Sequence, residues 1–254
     1  MATSLEKALK VLEALWKAPN GKGISIRDLA YQTGLPPSTV HRFLQGFKRY
    51  DLVEQDEASR DYRLGYKILL MGLKVRSGLD LTRAAQPILE QLSATTGEDA
   101  YLVIPRGDVG IFLQGVEGRQ PIRVVETYGT EIPLHCGASR KAILAFKDDE
   151  WIEGYIRRGL TSLTEKSITD PEKLWEEIRQ IRKQGYATSS GEYTQYAFGV
   201  AAPVRNFNNQ VVASIGIIGL QMRYTEENLP LFINEVKRAG RAVSQRLGWD
   251  GDES

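Results

Sequence analysis

Apolar residues in the first fifty positions recur at intervals of three and four, the spacing that lines one face of a helix. Leu5, Leu9, Leu12, Leu15 and Trp16 make a first stripe, interrupted by Pro19-Asn20-Gly21. Thr3 and Glu6 stand ahead of it at capping-box spacing, where each side chain can accept a hydrogen bond from the other's backbone N–H. A second, short helix is expected from Ser25, as its cap, to Gly34, in the place of a left-handed C-terminal residue. Leu35-Pro36-Pro37-Ser38 then turns the chain into a third helix reaching about Tyr50. Two short helices joined by a glycine-containing turn have helix-turn-helix spacing.

At about 100° per residue the third helix separates into two faces. Val40, Leu44 and Phe47 stack on one side with Phe43 beside them; Ser38, Arg42, Gln45 and Arg49 share the other, with His41 on the flank. Arginine can bridge guanine O6 and N7, glutamine can pair with adenine, and serine and histidine can hold phosphates, so this face has what major-groove reading requires. A solvated helix face shows the same periodicity, and the following segment favours the first reading. Leu52 to Gln55, the polar turn Asp56 to Arg60, and Asp61 to Leu64 alternate as a two-stranded hairpin. Three helices and a hairpin make a winged helix, with Arg60 at the tip and Arg63 on a strand placed for phosphate contacts.

Beyond Gly65 the pattern predicts a helix over Tyr66 to Ser77, a break at Gly78, and a helix from Leu81 to Thr96 with Leu81, Ala85, Ile88 and Leu92 on one side. The period then changes to strands at Ala100 to Ile104, Val109 to Val116 and Ile122 to Glu126, and later at Ala201 to Arg205 and Val211 to Leu220. Helices intervene at Ser139 to Phe146, Asp149 to Arg157 and Pro171 to Gln184, the last with Asp170 as cap and Gly185 past its end. A terminal helix is expected from about Thr225 to Leu247. Successive hairpins with helices between them argue an α+β fold around an antiparallel sheet.

The 254 residues suit two domains, and 42% hydrophobic residues supply enough apolar material for real cores, which excludes disorder as the dominant state. The start lacks the uninterrupted apolar run of a secretory signal. No stretch approaches the roughly 18 apolar residues of a membrane span. A cytoplasmic protein with no membrane partner is expected. Residues 1–78 carry 13 basic and 8 acidic side chains, whereas the remainder carries 20 and 24, so a polyanion partner is expected for the front only.

A single cysteine, Cys136, excludes an internal disulfide and a multi-thiolate metal site, and His41 and His135 lie far apart, so no metal is expected. His135 and Cys136 read as an extended approach to Gly137, which would point them to opposite faces and deny them a nucleophile–base pairing. Ser139 lies in GASRK, which lacks the second glycine of a nucleophile elbow, and there is neither a phosphate-binding loop nor a dinucleotide fingerprint. No catalytic residue and no cofactor are expected. Gly137-Ala138-Ser139 opens a helix, so its N–H groups either form an anion site or are simply capped by Ser139. Arg140 and Lys141 are expected to face water or the helix surface.

Residues 35–73, LPPSTVHRFLQGFKRYDLVEQDEASRDYRLGYKILLMGL, resemble the winged-helix region of the IclR family of bacterial transcriptional regulators. The STVHR of the recognition helix, which includes Thr39, and the YRLG that ends the wing carry the likeness. It extends through HCGASRKAILA (135–145) and the GEY segment (191–193) to VVASIGIIG (211–219). The resemblance implies a winged helix over 1–65, a linker helix over 66–78 that shares a dimer contact with it, and a GAF-like effector domain over 79–254. Packing of both helices on their own domains is equally consistent with the periodicity.

The resemblance further implies an effector pocket at Val124, Ala138, Ser139, Ser189, Gly199, Gly216 and Ile218, with Cys136 and Glu192 close by. Serines are common in the family where Gly216 and Ile218 stand here, which makes this wall less polar and favours a bulkier, aromatic carboxylate over pyruvate or glyoxylate. Tyr196 replaces a glycine of many members and reads as a surface or core residue, with stacking on a ligand as the alternative. The expected protein is therefore a DNA-binding transcriptional regulator, a repressor or an activator. It would bind a near-palindromic double-stranded operator as a homodimer or dimer of dimers and respond to a small organic acid. A GAF-type redox or metabolic enzyme carrying a winged helix is the alternative, and the absence of a resolving thiol beside Cys136 weighs against it. A winged helix used only for protein contacts would not need a basic face.

Overall fold

In the computed structural model, residues 3–18, 23–77, 80–125 and 127–251 are described; the Pro19-Asn20-Gly21 stop, the Gly78 break and Glu126 lie outside them. The chain divides into two compact units, Met1–Leu79 and Asp80–Ser254.

The first unit contains α1 (Ser4–Trp16), α2 (Ile26–Thr33), α3 (Pro37–Arg49), β1 (Val53–Gln55), β2 (Tyr62–Leu64) and α4 (Tyr66–Ser77). Thr3 and Glu6 form the capping box read from the sequence, and Gly34 closes α2 in the left-handed conformation. The core joins Val11 and Leu15 of α1, Leu29 of α2, Val40 and Leu44 of α3, Val53 and Tyr62, all at most 3% exposed. Ile24 pairs with Tyr62 through two backbone hydrogen bonds of 2.9 and 3.0 Å and so fastens the loop before α2 to the hairpin. The apolar stripe expected on α1 is divided. Val11, Ala14 and Leu15 face the core, whereas Leu5, Leu9 and Trp16 stay at the surface, as do Leu69, Leu70 and Met71 on α4.

The second unit is a six-stranded antiparallel sheet in the order β5-β4-β3-β8-β7-β6, from strands β3 (Asp99–Arg106), β4 (Val109–Val116), β5 (Glu131–Pro133), β6 (Ala187–Ser190), β7 (Ala197–Arg205) and β8 (Val211–Leu220). Its helices are α5 (Asp80–Thr96), α6 (Ala138–Leu144), α7 (Asp149–Arg157), α8 (Pro171–Gln184) and α9 (Leu229–Arg246). Strand alternation gives the sheet two apolar faces. Leu102, Val200, Ile215 and Ile217 bury one against Leu89, Leu92, Val236 and Val243 of α5 and α9. Tyr101, Val103, Ala201 and Ile218 bury the other against α6, α7 and α8. The fold is thus α+β, a winged helix-turn-helix followed by a GAF-like domain.

Several boundaries differ from the sequence reading. Residues 122–125 form no strand, and the edge position is taken by β5, whose residues Glu131, Ile132 and Pro133 pair with Ile111, Gly110 and Val109. Strand β7 begins at Ala197 instead of Ala201, and α9 at Leu229 instead of Thr225. Strand β6, ATSS, is a short, polar edge strand with no apolar alternation to announce it in the sequence.

Two glycines show how packing reverses the sign of one substitution. A Cβ on Gly216 would overlap the Val200 carbonyl oxygen and Ala201, whereas a Cβ on Gly46, within α3, would meet nothing within 4 Å. Gly216→Ala is expected to destabilise the protein by about 1–3 kcal/mol. Gly46→Ala should stabilise it by about 0.5–1 kcal/mol, because alanine loses less backbone entropy in a helix. Denaturant unfolding followed by circular dichroism checks both signs.

Candidate nucleic-acid interface and ligand pocket

Helix α3 is anchored by Val40 and Leu44, both fully buried, which fixes the rotation of its opposite face. Ser38, His41, Arg42 and Arg49 are exposed there, with Thr39 and Gln45 partly so. The Gln45 Nε2 and His41 Nε2 atoms lie 3.4 Å apart, one turn along the helix. The Arg42 guanidinium lies 5.6 Å from the centre of the Phe43 ring, a cation–π distance, while the residue stays exposed. The N-cap, Pro36, offers no side-chain hydrogen bond to the first turn.

The wing is a tight hairpin in which Glu54 stands opposite Arg63. These two side chains pair at 3.4 Å with about half of each exposed, a weak contact in solvent. At the tip, Asp56 accepts from the Ala58 and Ser59 N–H groups at 3.0 and 2.8 Å, bonds that hold its carboxyl below the usual aspartate range. Arg60 follows with a left-handed φ of 63° and an exposed side chain.

In the second unit, α6 enters from Gly137, whose φ of 85° suits a residue without a Cβ. All seven helical residues are buried, and the expectation that Arg140 and Lys141 face water is overturned: they are 2% and 1% exposed. The Lys141 ammonium lies 2.7 Å from both Glu177 of α8 and Glu192. Glu192 also accepts from the Gly137 N–H at 3.1 Å, so an internal carboxylate already occupies part of the helix opening. Burial pushes the Glu192 carboxyl up, opposed by Lys141 and the Gly137 N–H. Ser139 caps nothing. It lies inside the helix with its Oγ buried and without a hydrogen-bond partner.

A narrow cavity of about 20 Å³ opens beside α6, where Ala138, Arg140, Ser189, Glu192, Gly199 and Ile218 meet. A neighbouring one of about 70 Å³ is lined by Val124, Phe112, Tyr128 and Arg123, and Tyr101 and Ile218 belong to both. The structure therefore brings Ala138, Ser189, Glu192, Gly199 and Ile218 together and places Val124 across the Tyr101–Ile218 partition. Cys136, Ser139 and Gly216 are buried but line neither cavity. Tyr101, shared by both cavities, and Arg140 escaped the sequence reading; the alternation of β3 was the available signal for Tyr101. Tyr196 is 66% exposed and lines neither.

His135 and Cys136 occupy a turn instead of an extended segment, and they converge on one atom. His135 Nε2 lies 2.9 Å from the Thr161 carbonyl oxygen, and the Cys136 Sγ 4.0 Å from it. The His135 Nδ1 is bonded to the Tyr155 hydroxyl at 2.5 Å, and burial lowers the imidazole's proton affinity. Burial and Glu192 push the Cys136 thiol up to about 11, where thiolate is scarce at neutral pH.

Residues 4–57 match the IclR helix-turn-helix domain, and residues 73–245 match the family described as bacterial transcriptional regulator IclR C-terminal. The HTH-type transcriptional regulator KipR of Bacillus subtilis is 33% identical over 244 residues, covering 96% of each chain. An IclR transcriptional regulator from Alicyclobacillus acidocaldarius superposes with a TM-score of 0.87 at 27% identity, covering 98% of this chain and 100% of that one. An IclR homolog from Microbacterium hydrocarbonoxydans, complexed with 4-hydroxybenzoate, shares the fold with a TM-score of 0.82 at 21% identity, covering 96% and 99%. The named relatives are regulators and not enzymes. With a helix-turn-helix and an effector domain matched along most of its length, the chain belongs to the IclR family of bacterial transcriptional regulators.

Proposed function

We propose that the protein reads a near-palindromic operator with two copies of α3 and that an organic acid bound beside α6 changes its operator affinity. The observation that carries the DNA reading is the exposed face of α3, set by the burial of Val40 and Leu44 on the other side. One recognition helix reads only a few base pairs, so useful specificity needs two at a spacing fixed by symmetry. The solvent-facing Leu5, Leu9 and Trp16 of α1 and Leu69, Leu70 and Met71 of α4 support a homodimer or dimer of dimers, since exposed apolar stripes of this extent mark contact surfaces. Residues 1–65 then act as the DNA-binding domain, 66–78 as the linker and 79–254 as the effector domain. Work on the chromosome places the protein in the cytoplasm; no described helix is long and apolar enough to cross a membrane.

For the effector, Arg140 at the small cavity supplies positive charge for an acid group, while Val124, Phe112 and Ile218 supply apolar walls. Volumes of about 20 and 70 Å³ hold little more than water, so a ring-sized ligand requires Tyr101 and Ile218 to part and merge the two spaces. That displacement is where ligand binding would bias the domain between two states. The complex of the Microbacterium homolog with 4-hydroxybenzoate supports an aromatic acid as a ligand this fold can hold.

On the DNA side, Arg42→Ala should weaken operator binding by about 1–3 kcal/mol, with a smaller loss on random DNA. Arg60→Ala should weaken all sequences alike and flatten the salt slope. Fluorescence anisotropy on both duplexes at several salt concentrations measures this, and no salt-dependent binding to the promoter region of its own gene would sink the operator reading.

On the ligand side, Ile218→Ser should shift preference from aromatic acids toward small hydroxy and keto acids, and Ala138→Phe should abolish the response while leaving operator binding intact. Ligand and operator must change each other's affinity by the same factor. Calorimetry showing unchanged ligand affinity in both variants would place the pocket elsewhere.

A further inference from the structure

A larger cavity, about 730 Å³, lies elsewhere in the second unit, between the C-terminal end of α8, the last residues of β7 and the middle of α9. Its volume is within the roughly 300–1,000 Å³ of ligand pockets. Six basic side chains line it: Arg182, Lys183, Arg205, Lys237, Arg238 and Arg241. Lys237, Arg241 and Ser244 recur at four- and three-residue spacing, which puts them on one face of α9.

Part of this charge has internal work. Arg182 bonds the Ala145 and Lys147 carbonyl oxygens and pairs with Asp149 at 2.8 Å, and Arg238 pairs with Glu235. Lys183 also complements the carbonyl end of α8. Beyond that, no carboxylate among the described residues is paired with Lys183, Lys237 or Arg205. Arg205 is instead fixed in place: its Nη1 donates to the Asn209 carbonyl oxygen at 2.9 Å, and its guanidinium lies 4.6 Å from the centre of the Phe146 ring. Partial burial lowers its proton affinity with no acid to offset this. The Trp249 indole, held by Asn209 Oδ1 at 3.0 Å, closes one side as a flat wall. Like charges held around a concave space repel one another, and a bound anion of high charge density relieves that repulsion. Arginine forks and lysine ammonium groups together suit phosphate oxygens.

We propose that this cleft is a second ligand site, separate from the pocket beside α6, for a small molecule carrying several phosphate charges. Two sources share this chemistry: an inorganic polyphosphate, and an organic phosphate whose ring lies against Trp249. The assignment does not depend on the identity of the organic-acid effector.

The full-length protein is titrated by calorimetry with inorganic triphosphate and with ATP, beside a Lys183→Glu/Lys237→Glu variant. Both probes are expected to bind below millimolar concentration with an affinity that falls as salt rises. The double variant should bind at least about tenfold more weakly, and an Arg42→Ala variant, altered in the other unit, should bind both unchanged. Equal affinity for the two probes assigns the site to the phosphates alone; tighter ATP binding adds the ring. Absence of heat with either probe at millimolar concentration overturns the proposal, as does affinity unchanged in the double variant. Random duplex DNA that displaces the probes and loses affinity in the same variant reassigns the cleft to nucleic acid and also overturns it. Thermal melting of the double variant shows whether it is folded; should it not be, Lys237→Gln alone carries the comparison.

Discussion

A lysine ammonium 1% exposed to solvent is the constraint around which the second domain is arranged. Taking such a charge out of water is unfavourable by several kcal/mol unless carboxylates surround it. Glu177 and Glu192 do so from two separate elements, one on α8 and one on the segment between β6 and β7. The same Glu192 holds the Gly137 N–H, so three stretches of chain far apart in sequence are tied at one point. Loss of one partner of a buried pair typically removes about 3–5 kcal/mol, a large share of a domain's stability. The walls of the cavity beside α6 inherit their positions from this knot.

In the first domain the corresponding constraint is apolar. Val40 and Leu44 have no exposed surface, and a rotation of α3 large enough to bury Arg42 would expose them. Burial of one face thereby aims the other. Tyr62, held to Ile24 by paired backbone bonds, extends the same core into the hairpin, so the recognition helix and the wing are oriented by one set of contacts.

Where local chemistry decides the structure, the sequence reads correctly. The Thr3–Glu6 box, the left-handed Gly34 and the Asp170 and Gly185 ends of α8 depend on residues within a few positions of one another. The errors fall where partners are distant. Lys141 looks like a surface residue because Glu177 and Glu192, 36 and 51 positions further on, make its burial tolerable, and Arg140 because the Tyr193 ring it lies against is equally distant in sequence. The segment Ile122 to Val125 is rich in β-branched residues, yet the β4 edge is taken by Glu131 to Pro133. The alternation of an extended chain separates His135 from Cys136, and the turn they occupy does not obey it. The residues around the cavity beside α6 carry little signal of their own, since glycine, alanine and serine announce no chemistry, and of those the resemblance implied, Cys136, Ser139 and Gly216 line neither cavity.

Glu54 shows what a weak contact can do when it sits at a junction. One carboxylate oxygen faces Arg63 across the wing, while the other accepts the Tyr66 N–H at the first turn of α4. The positive end of α4 favours a carboxylate at this place, so a single side chain makes the wing strand and the start of the next helix share one charge, and neither can shift without the other losing part of its partner.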